Sequence, residues 1–293
     1  MSKAIPKQLC GRKFTLENLQ TVKEEVQSGY CISRAEIARR VCNRLSWYNL
    51  LGQPKLMSCR VELLRLERLG LIELPAPRTR NGNGKGLVRQ KIKLSQRSEL
   101  RTDIRNLSGL RIDRVRSRKE SAYWNSLIDE YHYLGYKPVP GAQVRYLIYS
   151  DEGYLGAVGF SASAWKVRVR DEWIGWDSGK REKGLYLIVN NSRFLILPNV
   201  RVKNLASRIL SLCAGQLRID FTESYGYEPA LIETFVEKGR YSGTCYRAAN
   251  WNYLGDTTGR GKLDRYHNHA VPVKSVYVRP LVRNARCILN GGV

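Results

Sequence analysis

The chain has 293 residues and carries 50 Lys and Arg against 26 Asp and Glu, a formal charge of +24. Its length suits about two domains of ~100–200 residues, and 43% apolar residues supply packed cores, which excludes a disordered basic tail. No run nears the ~18 apolar residues of a spanning helix and no apolar stretch follows MSKAIPKQLCGRKF, so a cytoplasmic protein without membrane span or secretion signal is expected.

Charge of this size and sign selects a polyanion as partner, DNA or RNA first. In chain order, Thr15 caps a first helix to about Gln27, with Leu16, Leu19, Val22 and Val26 at helical spacing. Ser33 and Glu36 form a capping-box pattern that opens a second helix, whose Ile37, Val41, Cys42 and Leu45 make one apolar face. After the break at Gly52, Gln53 and Pro54, a third helix is expected over 54–69. Its Val61 and Leu64 face inward, while Lys55, Ser58, Arg60, Arg65 and Arg68 are free to face out. Gly70 ends that helix, residues 71–74 read as a short strand, and RTRNGNGKG reads as a wing with 87–94 as the returning strand. Residues 1–94 are therefore expected to be a winged helix-turn-helix. The third helix would enter a major groove, and Arg78, Arg80 and Lys85 would contact phosphates or a minor groove. A three-helix unit used for protein contacts is the alternative.

Residues 95–118 are polar and rich in Arg, and are expected as a basic linker or a helix along a nucleic-acid backbone. Residues 1–120 hold 27 basic and 11 acidic side chains, whereas 121–293 hold 23 and 15. The excess charge thus belongs mainly to the first module and this bridge.

A second domain is expected over 119–285. Ser117 and Glu120 form another capping box, opening a helix to about Tyr133 with Tyr123, Trp124, Leu127 and Ile128 apolar. Period-2 runs at 143–149 and 153–160 make a hairpin through Ser150, Asp151, Glu152 and Gly153. Further strands are expected at 186–189 and 193–197, then a helix over 204–216 with Leu205, Ile209, Leu210 and Cys213 on one face. A buried strand at 230–236, a short helix at 244–250 and closing strands at 253–254 and 276–278 complete the list. The fold class is α+β, with a mixed, largely antiparallel sheet and flanking helices. This element order resembles the GNAT acyltransferase fold. Enzymes of that fold place a Gly-rich loop before their central helix to cradle a diphosphate. Here residues 197–207 hold no glycine, so acetyl-CoA is not expected, although Arg201, Lys203 and Ser207 can hold some phosphate.

Seven cysteines without a C-x-x-C pair read as reduced thiols, and the pair His267 and His269 lacks the further ligands of a zinc site. Several segments carry a closer resemblance: YHYLG at 131–135, WIGW at 173–176, VNNSRFLILP at 189–198, NLAS at 204–207, LIETFV at 231–236 and GTCYRAANW at 243–251. Together they resemble the DruA family of Druantia anti-phage defence systems, over about 115–285. That domain also occurs among transposase proteins. The last segment is similar to Mom-type DNA-modification proteins of phages. The resemblance implies action on DNA in defence or in a mobile element, with defence or transposition proteins as partners.

Read chemically, Glu233 shares a strand face with Leu231 and Phe235, so its carboxyl is expected to be partly buried, and raised unless it is paired. It is a general base, a metal ligand or an anchor for an Arg. His132 is an acid–base candidate or a packed helix end. Cys245 and Tyr246 are candidate nucleophiles or core residues. Strand cutting would need acidic ligands for a divalent metal, and Asp171, Asp177 and Glu233 are the available set. Trp165, Trp173, Trp176, Tyr246 and Trp251 lie among Arg168, Arg170 and Arg247, a mixture that can stack an unpaired or flipped base on duplex or single-stranded DNA. Two functions stay open: a nuclease- or transposase-like or base-modifying DNA enzyme, and a non-catalytic DNA-recognition subunit of a larger defence complex.

Overall fold

At the first helix, Thr15 and Asn18 exchange backbone and side-chain hydrogen bonds (3.1 and 3.3 Å), which satisfies two orphan donors of the opening turn. The computed structural model describes residues 6, 8–9, 12–28, 32–49, 52–77, 98–259 and 271–292. The chain divides into two compact units, Met1–Val88 and Arg89–Val293.

The first unit pairs β1 (Gln8–Leu9) with β2 (Arg12–Lys13) and then forms α1 (Leu16–Ser28), α2 (Arg34–Arg44) and α3 (Leu56–Arg68). Leu19, Val22 and Val26 of α1 and Ile37, Val41 and Cys42 of α2 are buried as their spacing requires. Ser33 accepts the Glu36 N–H, but the Glu36 carboxylate turns to Arg39 and Arg40, so only half of the expected box forms. The inward face of α3 is Cys59, Leu63 and Leu66; Val61, expected to be inside, is 56% exposed. Positions 59, 63 and 66 are one helical stripe, and Val61 projects from the far side of it. Gly70 (φ +65°) ends α3 in a Schellman motif, donating to Glu67 C=O (2.8 Å) while Leu71 N–H reaches Leu66 C=O (3.0 Å).

Residues 71–74 form no strand. Past Leu71, side chains take the place of a ladder: Leu74 N–H donates to the Glu67 carboxylate (3.2 Å), and Arg34, paired with Glu67, donates to the C=O of the following Pro75 (2.6 Å). The expected wing, with Arg78, Arg80, Lys85 and the strand at 87–94, lies outside the described residues. The described part of this unit is a three-helix module with one short hairpin.

The second unit begins with β3 (Leu100–Asp103) and β4 (Arg111–Arg114), where a linker is expected from sequence. Alternating half-buried and exposed residues let β4 close one edge of the large sheet. The capping box at Ser117 and Glu120 forms in full and opens α4 (Arg118–Tyr131). The hairpin β5 (Gln143–Ser150) and β6 (Gly153–Ala162) follows as expected. Two helices not read from sequence, α5 (Arg168–Ile174) and α6 (Ser178–Gly184), lead into β7 (Ile188–Ile196). β7 is one strand where two are expected, because Ser192 is an extra residue opposite the Gly159 and Phe160 pair. Then come β8 (Val200–Lys203), α7 (Leu205–Tyr225), β9 (Leu231–Glu237), α8 (Thr244–Ala248), β10 (Asn252–Asp256), β11 (Lys274–Pro280) and α9 (Ala285–Leu289).

The sheet order is β10-β11-β9-β7-β6-β5-β4, antiparallel throughout except for β7 beside β9. The mixed, mostly antiparallel α+β class is as expected. α7 runs nine residues past its expected end, since buried Asp220 accepts Tyr146 O–H (2.6 Å) and ties that turn to β5. Gly159 is required: a Cβ there would lie 2.9 Å from the Trp124 ring, whose Nε1–H bonds Val158 C=O (3.2 Å). The parallel pair is short, with only Ile188, Val189 and Asn190 opposite Leu231, Ile232 and Glu233. Beyond that point the two strands part.

Candidate functional site

Where β7 and β9 part, a cavity of about 410 Å³ opens between them, bounded also by the C-terminal end of α4 and the start of α8. Its size is that of a small-molecule or nucleotide site. Asn191 is the stitch across the gap. Its Nδ2 donates to Gly159 and Arg193 carbonyls (3.2 and 3.1 Å), its Oδ1 accepts Tyr246 O–H (2.9 Å), and its own carbonyl accepts Thr234 O–H (3.1 Å). An Asn in a strand interior is disfavoured by propensity, and here its side chain satisfies carbonyls at the Ser192 bulge and ties α8 to the sheet.

His132 caps α4 and lines the cavity. Its Nδ1 accepts Leu134 N–H (3.2 Å), which places the ring proton on Nε2. Burial, with the nearby Arg193 charge adding, lowers its pKa to about 4, so the imidazole is neutral at pH 7. The unfolded chain takes up this proton first on acidification, so the His132 contribution to stability falls as pH drops from 6.5 towards 4. His132 stacks on Tyr133 (4.9 Å), which carries Arg240 over its ring (4.7 Å) and meets Tyr241 (5.6 Å). Tyr133, Tyr241 and Phe194 give the cavity aromatic walls.

Cys245 and Tyr246 also line it. Burial pushes the Cys245 thiol up and the Tyr246 phenol up, so both are protonated at neutral pH. Tyr246 packs against Trp251 (5.0 Å) and Tyr277 (5.8 Å). These groups are hydrogen-bond donors and packing surfaces, without thiolate or phenolate character. With a maleimide reagent at pH 7.5 and peptide mapping, exposed Cys287 is expected to label well before Cys245.

Glu233 is not in the cavity. It is fully buried on the other face of β9, accepting Ala164 N–H (2.8 Å) and Arg170 Nη1–H (2.8 Å). Burial raises its carboxyl, opposed by Arg170 and the Ala164 N–H. Arg170, also fully buried, binds Asp171 (2.7 Å) and Ala164 C=O (2.8 Å); Asp171 in turn meets Val167 N–H (3.3 Å) and Arg181 (3.6 Å). Asp177 caps α6 by accepting Lys180 N–H (2.8 Å). The expected metal set of Asp171, Asp177 and Glu233 is therefore engaged by arginines and backbone amides. Among the described residues no group of three or more His, Cys, Asp or Glu gathers for a metal.

The expected DNA-contacting residues divide by burial. Arg170 and Trp251 (4% exposed) have no surface for a polyanion, because each is part of the interior packing. Lys55, Arg60, Arg65, Arg168, Arg201, Lys203 and Arg247 are exposed and Ser58 is half-buried. Of these, Arg65 pairs with Glu62, Arg168 with Glu172 and Arg201 with Glu99. Sequence reading missed Tyr133, Thr234 and Tyr241 as cavity residues and left Asn190 and Asn191 open between bonding a strand edge and bonding a base. The strand-borne Asn190 and Asn191 pair was the one signal that could have led there.

The stretch before α7 does not fit an acyl-CoA diphosphate. It holds no glycine, and Val200–Lys203 is taken up pairing in parallel with Leu100–Asp103.

A family model described as Druantia protein DruA matches residues 65–269, more than half of the chain. No curated protein matches the sequence. Among solved structures, aminoglycoside acetyltransferase AAC(6')-Ib with coenzyme A is similar at 12% identity and a TM-score of 0.39, over 60% of this chain and 96% of that one. An N-acetyltransferase from Staphylococcus aureus Mu50 is similar at 8% identity and 0.37, over 59% and 99%. A probable acetyltransferase from Chromobacterium violaceum ATCC 12472 is similar at 11% identity and 0.36, over 65% and 93%. Scores of this size fix neither the fold family nor the chemistry.

Proposed function

The chain belongs to the DruA family, and from that premise we propose that it is a DNA-binding protein of anti-phage defence whose β7–β9 cleft receives an unpaired nucleotide. The observation that carries this reading is the cleft itself: aromatic walls at Tyr133, Tyr241 and Phe194, with the His132 Nε2–H as a donor. Nucleobases displaced from a duplex are held in this way, by stacking and by hydrogen bonds to their edges. The formal charge of +24 supplies the sequence-independent attraction to the backbone.

Recognition is favoured over nucleophilic chemistry, since Cys245 and Tyr246 are protonated and Glu233 anchors an arginine. Cutting or modification of the DNA then falls to partner proteins of a larger defence complex. The test is fluorescence anisotropy with a duplex containing one extrahelical base and its fully paired counterpart. The wild type should prefer the bulged duplex, and Tyr241→Ala should lose about 10-fold of that preference while keeping its affinity for paired DNA. Equal affinity of the wild type for both duplexes would remove the cleft from the reading. A mass-shifted base or a nick produced by the purified protein alone would restore the enzymatic alternative.

A further inference from the structure

The five aromatics that sequence places among arginines are not equivalent in the fold. Trp176, Tyr246 and Trp251 are buried and Trp173 is half-buried, whereas Trp165 is 58% exposed. Its loop, between β6 and α5, is nevertheless held by side chains on both sides of the ring. Ser163 Oγ donates to Leu185 C=O (3.1 Å), and Val167 N–H donates to Asp171 (3.3 Å). Ala164, directly before Trp165, gives its N–H to Glu233 and its C=O to Arg170 (2.8 Å each). Both backbone groups of that residue thus terminate on a fully buried ion pair. Arg181, itself held by Asp171 (3.6 Å), lies over the Trp165 ring at 5.9 Å from its centroid.

The result is a large apolar ring fixed in solvent and backed by a guanidinium. An isolated exposed side chain needs no explanation, but a buried ion pair that immobilises the loop beneath one does. A buried pair of this kind is weak evidence for stability and better evidence for specifying one conformation. Lys166, Arg168, Lys180 and Lys183 are exposed along the same loop and on α5 and α6. Among the described residues Arg168 is engaged only by a solvent-exposed pair with Glu172 (3.6 Å), which a phosphate can replace at little cost.

We infer that Trp165 is a stacking platform for a base of single-stranded nucleic acid, with the surrounding lysines and Arg168 on the flanking phosphates. A planar base on an indole face with an anion beside a cationic rim is the chemistry that this ring and its basic neighbours match. Arg170 and Glu233 act here as positioning residues. The inference rests on the DNA-binding reading and deepens it with a second contact outside the cleft.

The experiment compares wild type, Trp165→Ala and Trp165→Phe in binding oligo(dT) and a duplex of equal length in about 100 mM salt, where backbone attraction is only partly screened. Trp165→Ala should weaken oligo(dT) binding by about 10-fold, within a range of roughly 5 to 150, and leave the duplex within about 2-fold. Trp165→Phe should keep most of the affinity. Oligo(dT) should quench a fraction of the wild-type tryptophan emission that is missing in Trp165→Ala. If wild type binds DNA and Trp165→Ala binds oligo(dT) equally well, or loses duplex affinity to the same degree, the platform is wrong. If wild type binds neither DNA, the DNA-binding reading fails first, which separates the two. Unchanged thermal melting of Trp165→Ala shows that the fold is intact.

Discussion

Glu233→Ala should destabilise the second unit by about 3–5 kcal/mol, the cost of leaving a buried charge without its partner. For a unit of this size that corresponds to a fall in Tm of roughly 6–20 °C by differential scanning fluorimetry. Arg170 has no exposed surface, and without Glu233 its guanidinium would keep only Asp171 and the Ala164 carbonyl. Ala164 N–H would be orphaned as well. Glu233→Gln keeps an acceptor and should cost less. A pH series supplies the second check. Burial raises the folded carboxyl above its ordinary 4.5, so as pH rises the unfolded chain releases this proton first. Stability contributed at this position is therefore present below 4.5 and declines as pH rises through the folded value, and the decline should be absent in Glu233→Gln. A Glu233→Ala protein that melts within about 2 °C of wild type would show that the carboxylate is not an anchor.

The second large effect concerns DNA affinity and salt. With 50 basic side chains, a binding surface neutralising 6–10 phosphates is a modest demand. Its affinity for duplex DNA should fall by about 10³–10⁵ between 50 and 200 mM salt. Replacing Arg78, Arg80 and Lys85 together with Ala should lower affinity evenly across sequences. It should also reduce the slope of log affinity against log salt by about 3, roughly 0.9 for each phosphate contact removed. These three residues stand in the Gly- and Asn-rich run that sequence reads as a wing. An unchanged slope in the triple variant would place the phosphate contacts elsewhere on the chain. A flat salt response in the wild type would remove duplex DNA as the partner that the charge selects.

Much of the architecture was legible residue by residue. Ser117 and Glu120 announced α4, and the alternation through 143–160 announced the β5–β6 hairpin, because caps and period-2 runs are local devices. The α3 stripe was misphased because Val61 and Cys59 are both apolar and only packing selects between them. α5 and α6 were invisible for a different reason. At seven residues each they are too short to display a period, and their termini rest on Asp171, Asp177 and a buried arginine. The linker expected at 95–118 became β3 and β4 through pairing with strands about 30 to 100 residues away, a partnership that composition does not encode.

The site shows the same division. Sequence marked His132 in one motif and Cys245 and Tyr246 in another, and the cavity brings all three together. It marked Glu233 by an acid in an apolar strand, which is a statement about burial and proved correct as one. Which chemistry that burial serves depends on what faces the carboxylate, and Arg170 comes from 63 residues earlier in the chain. By itself, then, the sequence determined the basic charge, the helices with caps, the alternating strands and the family, because charge, capping and alternation are properties of neighbouring residues. Only the tertiary structure decided that β7 and β9 part after three paired residues, that four motifs meet at that parting, and that of five candidate aromatics Trp165 is the one left in solvent. Those outcomes depend on pairing and burial between distant segments, where a shift of one residue turns a side chain from the core to the solvent.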